Sequence, residues 1–516
     1  MKKGSTRAHF RPLLPRSRTL GYASIFLLGG LLLPALAQKK GIVDPSQSVD
    51  WAAGMINHVQ KMHNLFTHHD VDQSTQSAPP EIPKLEKDSD PSGQIETFQP
   101  AGTTVTAENP FFQNLGTNGR TCFTCHQPQT GWTISAASAS ERFQASGGTD
   151  PLFRLIDGAT CPTDDVSTLG AKRRAFKLLI EKGLIRIGLP LPPSNPNPPP
   201  PNLPLQFEVT HVDDPYNCTT NTVTGLQSPT MGILSMYRRP LPSTNLGFDT
   251  AIMWDGREPS FQHQALDATL GHAEGNLPGP SGDQQNEIVA FETGIYTAQI
   301  FDNKAQVLNA ASATGGPVAL SQQTFSVGEN DPFGTNFNPK IFDLYEPWLN
   351  LPDANSEVKD RESVARGEQV FNTKSFKITG LAPTIPENTV GFCGTCHDSK
   401  DVGNHSVKLP LNIGIADVDP PPPGLDISGL PVFTIQCDDG RNFKVTDPGR
   451  ALITGSCDDI GKFKGPILRG LAARAPYFHN GSAATLMDVV NFYNKRFGIG
   501  FTEQEKKDLV NFLKAL

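Results

Sequence analysis

Two pentapeptides carry most of the chemistry legible in this 516-residue chain: Cys122-x-x-Cys125-His126 and Cys393-x-x-Cys396-His397. Two thiols beside an imidazole suit a zinc knuckle, a redox dithiol or a haem tether. Structural zinc needs four ligands, commonly from two neighbouring pairs, yet these pairs stand about 270 residues apart. A redox dithiol has no use for the histidine, and neither motif sits in a thioredoxin-like βαβ pattern. Haem attachment uses every residue. The thiolates form thioethers with the porphyrin vinyl groups, and the adjacent His ligates the iron from one face. The sequence therefore predicts two covalently bound haem c groups, haem 1 on Cys122, Cys125 and His126 and haem 2 on Cys393, Cys396 and His397. Two haems alone do not define catalysis. A carrier keeps both irons six-coordinate, whereas a peroxidase needs one open position with acid–base groups beside it.

The remaining cysteines, Cys161, Cys218, Cys437 and Cys457, suffice for two disulfides in an oxidising compartment. Four cysteines allow three pairings, of which the sequence-local one is Cys161–Cys218 with Cys437–Cys457. Residues 1–37 predict such a compartment. They combine Lys2, Lys3, Arg7, Arg11, Arg16 and Arg18, the apolar run SIFLLGGLLL, and the small-x-small triplet Ala35-Leu36-Ala37. This is the pattern of a secretory signal peptide cut after Ala37. Cleavage removes six positive charges, so the formal net charge of −8 becomes 38 − 52 = −14. An acidic surface argues against nucleic acid and suits a basic soluble partner. No later run is long enough to cross a bilayer, so a soluble, exported or periplasmic protein is expected.

Residues 38–105 read as a partly disordered N-terminal extension, because QSTQSAPPEIPKLEKDSDPSG is polar and Pro-rich. The histidines His58, His63, His68 and His69 read as a solvated helix end, since no second ligand cluster accompanies them. Pro-rich runs from Pro190 and from Asp419 read as rigid surface loops. Helix signals outnumber strand signals: SEVKDRESVARGEQVF, SAATLMDVVNFY and TEQEKKDLVNFLKAL. In the last, Thr502 and Glu505 form a capping box, and Leu509, Phe512, Leu513 and Leu516 form the apolar stripe. Each C-x-x-C-H follows an aromatic-bearing segment, a coarse internal repeat. The expected fold is mainly α: two tandem cytochrome c-like haem domains with long loops, over 106–345 and 346–516.

The stretch AIMWDGREPSFQHQALDATLGHAEG places Gln264 ten residues after Trp254 and Glu274 ten further on. With FKGPILRGLAARAPYFHNGSAATLMDVVNFY, it resembles the bacterial di-haem cytochrome c peroxidases and MauG, from about Asn109 to the C-terminus. The resemblance implies that the first module is peroxidatic and the second handles electron transfer. It implies that Trp254 relays electrons between haems, that Glu274 is the acid–base residue over haem 1, and that Gln264 orients peroxide. His272 is a further candidate for that pocket, and Arg469 a partner for a haem propionate.

Three departures from the family pattern bear on mechanism. Where many members carry a distal His, this chain has Arg142, which predicts a five-coordinate haem 1; His211 is the other histidine within reach. Where the peroxidases carry a Met ligand to haem 2, counting from His479 reaches Tyr493, as in MauG-like members. Leu486, Val489, Val490 and Tyr493 share one helical face, and a phenolate would favour ferric and higher states. His479 is the rival ligand. The family's calcium positions hold Arg239, Arg474 and Pro476, and two guanidinium groups argue against calcium. The expected function is reduction of hydrogen peroxide with electrons from a small cytochrome c or cupredoxin. The alternatives are MauG-like oxidation of a protein or organic substrate, and a non-catalytic electron-transfer cytochrome.

Overall fold

Aromatic and aliphatic side chains separated by hundreds of residues come together around two C-x-x-C-H loops. The computed structural model describes residues 78–191, 205–216, 233–352 and 355–516. These residues fall within one contact unit, Val49–Leu516. The expected signal peptide, His58, His63, His68, His69, Cys218 and most of the run from Pro190 lie outside the described residues.

Among the described residues, thirteen strands accompany ten α-helices, and helix accounts for 31%. Helices therefore do not dominate as the sequence led us to expect. In chain order the strands are β1 (Glu81–Ile82), β2 (Leu85–Asp90), β3 (Gly93–Phe98), β4 (Thr104–Val105), β5 (Ile185–Pro190), β6 (Phe207–Asp213), β7 (Ile233–Arg238), β8 (Tyr296–Asp302), β9 (Gln306–Val307), β10 (Phe376–Ile378), β11 (Thr389–Gly391), β12 (Val432–Cys437) and β13 (Asn442–Val445). The helices are α1 (Ala136–Ser146), α2 (Leu169–Ala175), α3 (Lys177–Lys182), α4 (Phe261–Gly271), α5 (Gly282–Gly294), α6 (Pro317–Leu320), α7 (Ser356–Thr373), α8 (Ala451–Thr454), α9 (Leu486–Arg496) and α10 (Glu503–Lys514).

All strand pairs are antiparallel, in sheets ordered β2-β3-β8-β9, β13-β12-β6, β5-β7, β1-β4 and β10-β11. The first sheet takes in residues 85–98 of the expected 38–105 extension. LEKDSD looks like a linker because its charges line an edge strand, where they discourage further pairing. Its neighbour β3 is central, with Ile95 and Thr97 buried, and pairs with β8 about 200 residues away.

The three expected helices form as α7, α9 and α10. Thr502 caps α10 reciprocally with Glu505, and Leu509, Phe512, Leu513 and Leu516 are buried. Helices α7 and α10 cross closely because position 367 is glycine. A Cβ there would lie 2.0 Å from the Asp508 carbonyl oxygen. Asp508 in turn accepts from Ser363 Oγ at 2.5 Å and Arg366 Nε at 2.9 Å. Phe342 packs edge-to-face on Phe371 and Phe512 behind the second C-x-x-C-H. Trp132 does the same on Phe111 and Phe291 behind the first. Among the described residues no helix is long and apolar enough to cross a membrane.

Candidate functional site

The two motifs fold alike. Each starts as a single 3-10 turn, Cys122–Thr124 or Cys393–Thr395. A threonine closes it: Thr121 N–H donates to Thr124 Oγ1 at 3.0 Å, and Phe392 N–H to Thr395 Oγ1 at 2.9 Å. The histidine amide then bonds back to the first cysteine, His126 to Cys122 O and His397 to Cys393 O, both at 3.0 Å. Each imidazole is pinned by the carbonyl six residues on: His126 Nδ1 lies 2.8 Å from Trp132 O, and His397 Nδ1 lies 2.7 Å from Gly403 O. A carbonyl only accepts, so Nδ1 holds the proton and Nε2 keeps the lone pair a metal needs. Desolvation pushes the pKa of His126 down to about 4, and lowers that of His397, so both rings are neutral and ligand-competent at pH 7.

Each motif lines its own cavity. The first has an empty volume of about 1320 Å³, open mouth included, and Cys122, Cys125 and His126 in its wall. The second, of about 1430 Å³, has Cys393, Cys396 and His397. All four thiols are free. Paired free thiols, a neutral imidazole with an uncommitted Nε2 and a largely apolar cavity fit a covalently attached haem c.

Trp254 and Lys464 line both cavities, so one indole forms a shared wall. Its Nε1–H donates to Arg239 O at 2.7 Å, and its carbonyl accepts from the Lys464 amide at 2.8 Å. Gln264 lies in the wall of the first cavity, presented by α4, whose N-terminus is capped by Ser260. Glu274 stands on the loop after α4 with φ +52°, a left-handed conformation that costs a non-glycine residue about 1–3 kcal/mol. Its Oε2 accepts from Asn118 Nδ2 at 3.0 Å, and its side chain is half-buried beside the cavity rather than in its lining.

His272 does line the cavity. Its Nδ1 is 2.7 Å from Asp157 Oδ2, and Asp157 takes Arg120 Nη1 on both oxygens at 2.7 Å. Burial alone would raise the Asp157 pKa, but Arg120 and His272 outweigh it and hold it down at about 2. Glu292, on α5, also lines this cavity. It is 4% exposed, and its Oε2 has no hydrogen-bond partner.

Other expected residues lie elsewhere. Arg142 turns away from the first cavity, gripping Asp150 with Nε and Nη2 and the Thr124 carbonyl with Nη1 at 2.6 Å. It buttresses the C-x-x-C-H turn from outside. His211 is exposed on β6 opposite Thr434. Arg469 lines neither cavity; it is buried with Nη1 on the Asp401 carbonyl at 3.0 Å. Arg239 directs Nη2 to the carbonyls of Ile134 at 2.6 Å and Arg474 at 2.8 Å, so a fixed guanidinium holds these oxygens.

In the second cavity, Leu486, Val489, Val490 and Tyr493 all face inward from α9. The Tyr493 ring is 6.5 Å from that of His397. Burial and the nearby thiols push its phenol pKa up. His479 is buried, stacks on Phe463 at 3.8 Å, and has no hydrogen-bond partner on either ring nitrogen. His405, unforeseen from sequence, is buried in the same wall with its ring 6.3 Å from that of His397. Of the four other cysteines, Cys437 and Cys457 are joined as expected, and Cys161 is also disulfide-bonded.

These features describe a c-type cytochrome-like protein, and a family profile for RoxA-like, cytochrome c-like domains matches residues 462–498. The chain is similar to cytochrome-c peroxidases and to MauG. It is 43% identical over 90 residues to cytochrome-c peroxidase IdrP1 of Denitromonas iodatirespirans, covering 15% of this chain and 24% of that protein. It is 24% identical over 276 residues to the methylamine utilization protein MauG of Paracoccus denitrificans, covering 52% and 59%. With cytochrome c551 peroxidase of Pseudomonas aeruginosa the identity is 21% over 279 residues, covering 53% and 62%. The matches thus span between a quarter and about three-fifths of these relatives. A solved MauG-like protein associated with microbial copper homeostasis is 20% identical, covering 54% of this chain and 73% of that one, with a TM-score of 0.30.

Proposed function

We propose that this chain is an exported di-haem c-type peroxidase that reduces hydrogen peroxide to water with electrons from a small redox protein. The observation that carries the reading is the indole of Trp254, which forms part of the wall of both C-x-x-C-H cavities. Cys122 and Cys125 would hold the first haem and Cys393 and Cys396 the second, with His126 and His397 as their iron ligands. Bound there, the haems supply redox-active iron, able to accept peroxide in one cavity and electrons in the other.

The side chains do the rest. Gln264 offers the first cavity an amide that orients a peroxide through both its donor and its acceptor. Glu274, the acid–base residue that the family resemblance implies, is kept beside the pocket by Asn118. Trp254 relays electrons across the shared wall, and Arg257, in the first cavity's wall with its Nε lacking a hydrogen-bond partner, suits a propionate. The two modules are assigned to 106–345 and 346–516. The net charge of −14 after signal cleavage suits a basic donor, a small cytochrome c or cupredoxin.

The test is reduced protein mixed with one equivalent of peroxide, with the ferric protein followed by electron paramagnetic resonance. One high-spin and one low-spin signal and a fast two-electron oxidation are expected. Two low-spin signals with no peroxide reaction would leave only an electron-transfer cytochrome. Tyr493 in the second cavity favours one other reading, MauG-like oxidation of a protein or organic substrate. Rapid turnover of reduced cytochrome c decides for the peroxidase, and its absence for the MauG-like enzyme.

A further inference from the structure

The side chain best placed for proton transfer in the first cavity is not Glu274. We propose that His272, oriented by Asp157, is the acid–base residue that breaks peroxide there; this rests on the reading of that cavity as the peroxide-binding haem site. His272 is in the cavity wall, while the Glu274 carboxylate is held outside it by Asn118. The His272 backbone is fixed at both ends. Its amide caps α4 through Ala268 O at 2.9 Å, and its carbonyl accepts from Asn118 Nδ2 at 2.9 Å and Arg120 Nη1 at 3.1 Å.

The ring is fixed too. Asp157 is buried and bonded to both His272 Nδ1 and Arg120, so the carboxylate cannot swing away. An ionised carboxylate accepts only, which places the imidazole proton on Nδ1 and leaves the Nε2 lone pair as the base. This is the nucleophile-free half of a base-plus-orienter arrangement: a base within reach of the reacting group, held by a third residue. The side chain of His272 is 38% exposed, so it re-equilibrates with solvent between turnovers. The charged and titratable groups around it are Asp157 and Arg120 in contact, Glu274 on its own loop, and His126 across the cavity.

The step balances as follows. Nε2 takes the proton from one peroxide oxygen and returns it to the other as the O–O bond breaks. Both peroxide protons then leave with the departing oxygen as water. The oxygen left behind becomes a second water on receiving two electrons from the donor protein and two protons from solvent. Each peroxide thus consumes two electrons and two solvent protons.

The test compares the wild-type holoprotein with H272Q, D157N and E274Q, after checking covalent haem content. Two probes are used: hydrogen peroxide by stopped flow, and cyanide, whose acid form must lose a proton to bind. H272Q is expected to slow both rates by about 100-fold or more, the range of general acid–base catalysis. D157N keeps the ring in place but forces its proton onto Nε2, so it should approach the H272Q rates. E274Q should stay within a few-fold of wild type. If H272Q and D157N match wild type while E274Q loses the rate, the acid–base role belongs to Glu274 and the proposal fails. If fully haem-loaded wild type reacts with neither probe, the reading of the cavity itself fails, and the proposal with it.

Discussion

The indole of Trp254 and the imidazole of His479 lie 6.1 Å apart, ring centre to ring centre, at an interplanar angle of 64°. One residue connects them. The Arg239 carbonyl accepts the Trp254 indole N–H at 2.7 Å, and the Arg239 amide donates to His479 O at 2.6 Å. The shared wall is therefore positioned by hydrogen bonds to a residue whose own guanidinium is anchored on the carbonyls of Ile134 and Arg474. W254F keeps an aromatic ring but removes the N–H. It should slow electron transfer between the two cavities, measured after rapid reduction, without changing peroxide binding in the first. Leaving the buried Arg239 carbonyl without its donor should cost about 1–3 kcal/mol in a denaturant melt. Unchanged inter-site transfer in W254F would remove the indole from the relay.

Tyr493 and His479 make different predictions for the second cavity. Both line it, but the Tyr493 ring stands 6.5 Å from the His397 ring, whereas His479 lies flat on Phe463. Burial raises the phenol pKa, so Tyr493 loses its proton only to a strong Lewis acid. Y493F is expected to change the low-spin resonance signal and raise the potential of the second site. H479Q is expected to leave that signal in place. The reverse result would make His479 the ligand.

What the sequence revealed was local. The C-x-x-C-H turns, the Thr502–Glu505 cap and the inward face of α9 depend on residues within a few positions, where backbone geometry fixes who meets whom. What it hid was long-range. The strand LEKDSD becomes structured only against β3, itself paired with a strand about 200 residues on. Asp157 sits in an unremarkable RLIDGAT segment and reaches His272 across 115 positions. Arg142, which stands where a distal His is expected, is turned outward by a partner eight residues away, Asp150. No local periodicity encodes such encounters.

The Cys437–Cys457 bridge closes a 20-residue separation between β12 and the turn before Ile460. Cross-linking a loop of that length removes chain entropy from the unfolded state worth about 3 kcal/mol. The double variant C437S/C457S should lose about that much in a urea melt, with the haem-attachment cysteines untouched. A loss below about 1 kcal/mol would show that the loop is already constrained in the unfolded chain.

Glu292 gives the fold a pH dependence whose sign is fixed by its environment. Desolvation pushes its pKa up to about 7 from an ordinary 4.5, and a hydrogen bond from Ser243 only partly offsets this. The folded protein thus keeps this proton up to about pH 7, while the unfolded chain releases it near 4.5. Between those values the folded state binds more protons, so stability falls as pH rises, by at most about 3 kcal/mol from this group. E292Q has no proton to lose. Urea melts at pH 5 and pH 8 should show wild type losing more stability over this range than E292Q, and the difference between the two losses isolates Glu292. Because Glu292 faces the first cavity beside Cys122, the same ionisation puts a negative charge next to the tethered group above pH 7. Equal losses in the two proteins would mean that the carboxyl reaches solvent or a cation once the haem is attached.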